Sequence, residues 1–236
     1  MITNLDIKEL IILTIAFMAF TVIGTISHEY GHIIVAKYLG YDTQLHYGSM
    51  NYSSELEEKL IDIYNKNKDA IKNNTPFDQK KEYDKGVETL RSNALWIRLG
   101  GPIQTIGTGI IGLTLLLWRR PLMIRNGLSL IDWLCIFLSL FWLREIFNLL
   151  MSVGSEMISP NGSYFGGDEK YISFELGLWE GTVPIILGTL GLSISLFVIF
   201  RCIPNRFRST FIASGFIGGI LGFVLWMKIL GPKILP

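Results

Sequence analysis

Residues 28–32 read His-Glu-Tyr-Gly-His, at the end of an apolar run. On a helix, residues four apart lie on one face a turn apart, so His28 and His32 can offer two imidazole nitrogens to a single ion. That is half of a zinc site. Glu29 stands beside the first histidine, near any water held by such an ion and not obliged to ligate it. This is the placement a general base needs in metal-assisted hydrolysis. Two of the three histidines in the chain fall within this pentapeptide. Ionisable groups at membrane depth are costly and mark function, unless they serve only to bridge helices by hydrogen bonds.

Catalytic zinc takes three protein ligands and keeps a fourth position open, so a third ligand must come from the same side of the molecule. His46 lies in a polar connection. Asp132 falls at the wrong end of its apolar segment, most of a membrane thickness away at about 1.5 Å per helical residue, and drops out. Glu145 sits inside an apolar segment next to Arg144, a setting that suits a structural ion pair. Asp168 lies in GSYFGGDEKY, where Gly166 and Gly167 allow a sharp turn or a close backbone approach. Asp168 and Glu169 also suit the start of a helix electrostatically. Asp168 is the favoured third ligand, with Glu145 and Glu169 as the alternatives.

These residues need elements to hold them. Of 236 residues half are hydrophobic, 17% are charged and the mean hydropathy is +0.40, which is the composition of an integral membrane protein. Apolar stretches near the 20 or so residues that cross a bilayer occur at about 10–30, 94–118, 128–153, 179–200 and 211–231. The expected fold is therefore an all-α integral membrane protein of about five transmembrane helices. Residues 1–40 form the first membrane helix with the HExxH motif, 41–93 a small polar and mainly helical insertion, and 94–236 the remaining membrane helices. Asp6, Lys8 and Glu9, with no small-residue cleavage site after the apolar run, do not fit a cleavable signal peptide.

Within the insertion, Leu56, Leu60, Ile63 and Tyr64 keep helical spacing, and Asn73-Asn74-Thr75-Pro76 interrupts it, predicting two short amphipathic helices. LHYGSMNY at 45–52 alternates weakly, as a short strand would. A net charge of +1 with no basic stripe argues against a nucleic-acid partner. Cys135 and Cys202 have neither disulfide-framework nor CxxC spacing. Alternate crossing puts Arg119, Arg120, Arg125, Arg201, Arg206 and Arg208 on one face, cytoplasmic by the positive-inside rule, and HEYGH toward the other. Gly100, Gly101, Gly107, Gly109 and Gly112 let the second span approach its neighbours closely.

Three blocks of this sequence resemble the site-2 protease type of intramembrane zinc metallopeptidase. HEYGH at 28–32 is similar to that family's HExGH. LGGPIQTIGTGIIGL at 99–113 resembles its second core helix, which opens on a Gly-Pro step. FNLLMSV at 147–153, followed by GGDE at 166–169, resembles its Asn-Leu-x-Pro segment and the Asp-Gly pair that supplies the third ligand. The Pro is absent here, Glu follows Asp168, and 20 residues separate Asn148 from Asp168, more than the family has. The resemblance implies zinc held by His28, His32 and Asp168, a general base at Glu29, and Asn148 holding substrate or the oxyanion. It also implies a site near the cytoplasmic side, opposite to the loop-charge reading.

Three functional classes follow. The leading one is a zinc endopeptidase in the cell membrane, cutting a membrane-spanning or membrane-adjacent peptide. The second is a silent membrane protein that keeps zinc for structure or sensing, for which Glu29 would be superfluous. The third is a transporter with an intramembrane metal relay, which would need more acids along its spans than Asp132, Glu145 and Glu180 provide.

Overall fold

The computed structural model describes residues 6–160 and 162–236; residues 1–5 of the expected first segment lie outside the described residues. Among the described residues the chain is all-α apart from one small hairpin, with five helical segments long and apolar enough to cross a membrane. It is a multi-pass membrane protein.

Helix α1 spans Ile7–Tyr38, with Asp6 as its cap: the carboxylate accepts the N–H groups of Lys8 and Glu9 at 2.9 and 3.2 Å. At 32 residues it measures about 48 Å, longer than the roughly 30 Å of hydrocarbon it has to cross. The HEYGH motif falls in its last third.

Strands β1 (Asp42–Leu45) and β2 (Met50–Ser53) follow as an antiparallel hairpin paired from Asp42↔Ser53 to Leu45↔Met50. The stretch expected as one strand over 45–52 is thus the end of β1, a turn, and most of β2. The turn is tied to the C-terminal end of the chain. Tyr47 N–H donates to the Leu235 carbonyl at 3.0 Å, Trp226 Nε1–H donates to the Tyr47 carbonyl at 2.6 Å, and His46 bonds the carbonyl of Pro236.

The amphipathic helices α2 (Glu55–Lys66) and α3 (Lys68–Lys72) come next, with Leu60 and Ile63 of α2 buried. Helix α4 runs from Lys80 to Asn126 and crosses the expected 93/94 boundary without a break. Residues 80–93 contain no proline, and their Lys, Glu, Leu and Arg are good helix formers, so nothing in the chain stops the helix at the membrane surface.

The third crossing is α5 (Leu130–Ser139), a 3₁₀ turn at Leu140–Trp142, and α6 (Leu143–Ile158). The short α7 (Gly167–Glu175) precedes α8 (Thr182–Phe197), α9 (Asn205–Val224) and α10 (Gly231–Ile234). Helix α1 packs between α4 and α9, α4 also packs on α5, α6 on α8, and α7 rests on α4 and α8.

The apolar core gathers at the end of the bundle away from HEYGH, around Leu13, Phe17, Leu116, Ile136, Phe137 and Phe211. Phe17 meets Phe137 and Phe211 at 4.9 Å between ring centres. Asp132 is buried at that end, pairs with Arg119 at 2.6 Å and forms a capping box with Ser129, so its role is structural. Ile11, Ile15, Ile23, Trp118, Ile124, Phe216 and Ile220 are exposed, as expected of side chains that face lipid.

Candidate metal centre

His28, Glu29 and His32 are all buried near the end of α1. The two imidazoles stand nearly perpendicular, 4.8 Å apart between ring centres. Their Nε2 atoms point at the same atom, Asp168 Oδ2, at 3.1 and 3.2 Å. Two residues one helical turn apart and a third some 140 positions along the chain thus converge on one point.

Small residues make the close approach possible. Gly31 of α1 lies against Gly100 of α4, so closely that a Cβ on either would fall on the other's backbone carbonyl. A Cβ at Gly101 would fall on His32 Nε2 and come within 2.5 Å of His28 Nε2. The two imidazoles rest on a bare stretch of backbone. Asp168 enters from the first turn of α7, directly after Gly167, whose φ of +73° suits glycine and few other residues.

The outer nitrogen of each ring is occupied. His28 Nδ1 lies 2.9 Å from the hydroxyl of the buried Thr105, and His32 Nδ1 lies 2.7 Å from the carbonyl oxygen of Ile97. A carbonyl only accepts, so His32 carries its hydrogen on Nδ1 when it bonds Ile97, and the Thr105 hydroxyl can accept from His28 in the same way. In these tautomers both Nε2 atoms present lone pairs toward a carboxylate oxygen, and such a cluster is repulsive unless a cation lies among them. The spacing fits one. Tetrahedral ligands bound at about 2.0–2.1 Å stand about 3.3 Å from one another, close to the observed 3.1 and 3.2 Å. The buried His28–Glu29–His32 group can hold a metal ion. The ligand atoms of these three side chains lie within 4.8 Å of one another.

Electrostatics agrees at the residue that lies outside the spans. Burial alone would push the Asp168 carboxyl up, but the two imidazoles packed against it outweigh burial and hold the group well below the usual carboxylate range.

Other sequence-derived candidates lie elsewhere. The Asn148 amide donates to Glu169 Oε1 at 3.3 Å and makes no described hydrogen bond to the histidines. Glu145 and Glu169 are both buried beside a small cavity that Asn148 and Ser152 also line. His46 sits in the hairpin turn, between Asn51 and Pro236. The ion pair expected between Arg144 and Glu145 is not made. Adjacent residues on a helix point in different directions, and Arg144 Nη2 is instead 3.9 Å from Glu29 Oε1.

Thr105, the Ile97 carbonyl and the Arg144–Glu29 approach were not foreseen from the sequence. Pro102 is the one local signal, since it removes an N–H from the helix next to where His32 inserts. Comparison with protein-family models, with curated proteins and with solved structures finds no match to this chain. The fold and the site define a multi-pass membrane protein with a buried group fit for a metal ion.

Proposed function

We propose that the protein is an intramembrane zinc metalloprotease that hydrolyses peptide bonds in or next to membrane-spanning segments of its substrates, in the cell membrane. The observation that carries this reading is the convergence of His28 Nε2, His32 Nε2 and Asp168 Oδ2 beside the buried carboxylate of Glu29. Two imidazoles and one carboxylate form the three-ligand set of hydrolytic zinc sites, with a fourth position open.

When bound, zinc would polarise the scissile carbonyl and acidify the attacking water. The chain's own residues do the rest. Thr105 and Ile97 fix the ring orientations from behind, a support that such ligands require. Glu29 takes the proton from the attacking water and delivers it to the leaving amine. The surrounding helices keep lipid away from a site that needs water. A substrate helix has to unwind locally first, because helical carbonyls are hydrogen-bonded and shielded.

The test is elemental analysis of detergent-purified protein, with His28→Ala, Asp168→Ala and Glu29→Gln compared with the parent. About one zinc per parent chain, lost in the first two variants and kept in Glu29→Gln without cleavage, supports the reading. A metal-free parent prepared without chelators refutes it.

A further inference from the structure

The functional reading leaves a charged side chain unexplained. Arg144 lies within the third membrane crossing, where an arginine is costly and is kept for a task or a partner. Glu145, its neighbour in sequence, is not its partner, for both Glu145 carboxylate oxygens are buried without a hydrogen bond. Glu29 is the nearest acid, but 3.9 Å is too long for a hydrogen bond. Among the described residues Arg144 Nε is buried and donates no hydrogen bond. A quarter of the side chain is exposed, so the fork is neither sealed in the core nor free in solvent.

A guanidinium offers five N–H donors in a fixed plane and matches pairs of anionic oxygens. Held beside the general base with its Nε donor unspent, it fits an anion that is absent from the resting protein and forms during the reaction. Peptide hydrolysis generates one: when the water oxygen bonds to the carbonyl carbon, the C=O π pair moves onto the carbonyl oxygen. The family resemblance implied that Asn148 holds the substrate or that oxyanion. In the structure its amide is given to Glu169, while Arg144, one turn earlier on α6, reaches the site.

We propose that Arg144 is a catalytic residue of this site, donating hydrogen bonds to the scissile carbonyl oxygen as it becomes negative. The proposal rests on the metalloprotease reading. The proton balance is unchanged by it. Glu29 accepts the water proton, the C–N bond breaks with its electron pair going to nitrogen, and that nitrogen takes the proton from Glu29. Arg144 keeps its own protons throughout, since it does not deprotonate in proteins.

Two probes that need no known substrate separate the possibilities. A peptide hydroxamate binds through the metal. A peptide phosphonamidate adds a tetrahedral anion that mimics the hydrated carbonyl. Both would be titrated into the zinc-loaded, detergent-purified parent, Arg144→Gln and Arg144→Lys, with zinc content and melting temperature measured on each. The expected result is that Arg144→Gln keeps its zinc and binds hydroxamate within about twofold of the parent, but loses about 100-fold in phosphonamidate affinity, the scale of one oxyanion donor. Arg144→Lys, which keeps the charge but not the fork, recovers part of that loss.

Equal weakening of both probes, phosphonamidate affinity within threefold of the parent, or loss of zinc from both variants would overturn the proposal and leave Arg144 a structural counter-charge. If Arg144→Gln does not fold, Arg144→Lys decides by the same ratio of the two affinities. A parent that holds no zinc and binds neither probe would refute the metalloprotease reading itself.

Discussion

Gly101→Ala is the sharpest probe of the site, because it adds one methyl group at the point where both imidazoles rest. The new Cβ would stand 2.3 Å from His32 Nε2 and 2.5 Å from His28 Nε2, where ordinary contact begins near 3.4 Å. The His28 ring therefore has to retreat by about 0.9 Å and the His32 ring by about 1.1 Å. Metal–ligand distances tolerate about 0.2 Å, and a displacement near 1 Å commonly costs about 100-fold at a reacting centre. Zinc affinity should fall about 100-fold, or about 2.8 kcal/mol.

The assay is competition for zinc against a chromophoric chelator in detergent, read beside a thermal melt of the metal-free protein. Gly107→Ala is the control on the same helix, with nothing within 4 Å of its added Cβ. It should leave zinc affinity unchanged and raise stability by up to about 1 kcal/mol, since glycine is the poorer helix former. Gly101→Ala binding zinc within threefold of the parent would refute the packing argument and, with it, the placement of the two α1 histidines against α4.

Glu29→Gln should retain stoichiometric zinc by elemental analysis and lose at least about 100-fold in cleavage, the contribution of a positioned base. Thr105→Val keeps the shape of the side chain but removes the partner of His28 Nδ1; zinc affinity should drop about 10–100-fold by the same competition assay. Chelating the metal should lower the melting temperature of the parent, through a loss of up to about 4 kcal/mol of stability if the metal stood at a thousandfold excess over Kd, and leave that of Asp168→Ala unmoved. Arg119→Ala strands the buried Asp132 at the far end of the bundle and should lower the melting temperature without changing zinc content.

HEYGH puts two imidazoles on one helical face and a carboxylate beside them by local geometry alone, because i and i+4 share a face whatever the rest of the chain does. The five crossings were legible for a similar reason: hydrocarbon admits only long apolar helices, so hydropathy reports them directly. Ends of elements were less legible. Helix α4 begins at Lys80, since helix formers continue the helix past the point where the sequence turns apolar.

What the sequence by itself determined, then, is the class of fold and the placing of His28 and His32 on one helix face with Glu29 beside them. Asp168 was one of several acids until α7 was seen to turn at Gly167 and deliver its carboxylate to both histidines. The tertiary structure alone decided that Thr105 and the Ile97 carbonyl orient the rings, that Asn148 faces Glu169, and that Arg144 faces Glu29. Those partners lie on separate helices, and their meeting depends on how closely Gly31, Gly100 and Gly101 let α1 and α4 approach. Periodicity within one segment places a residue on a face; which face of another helix it meets is a property of the packing.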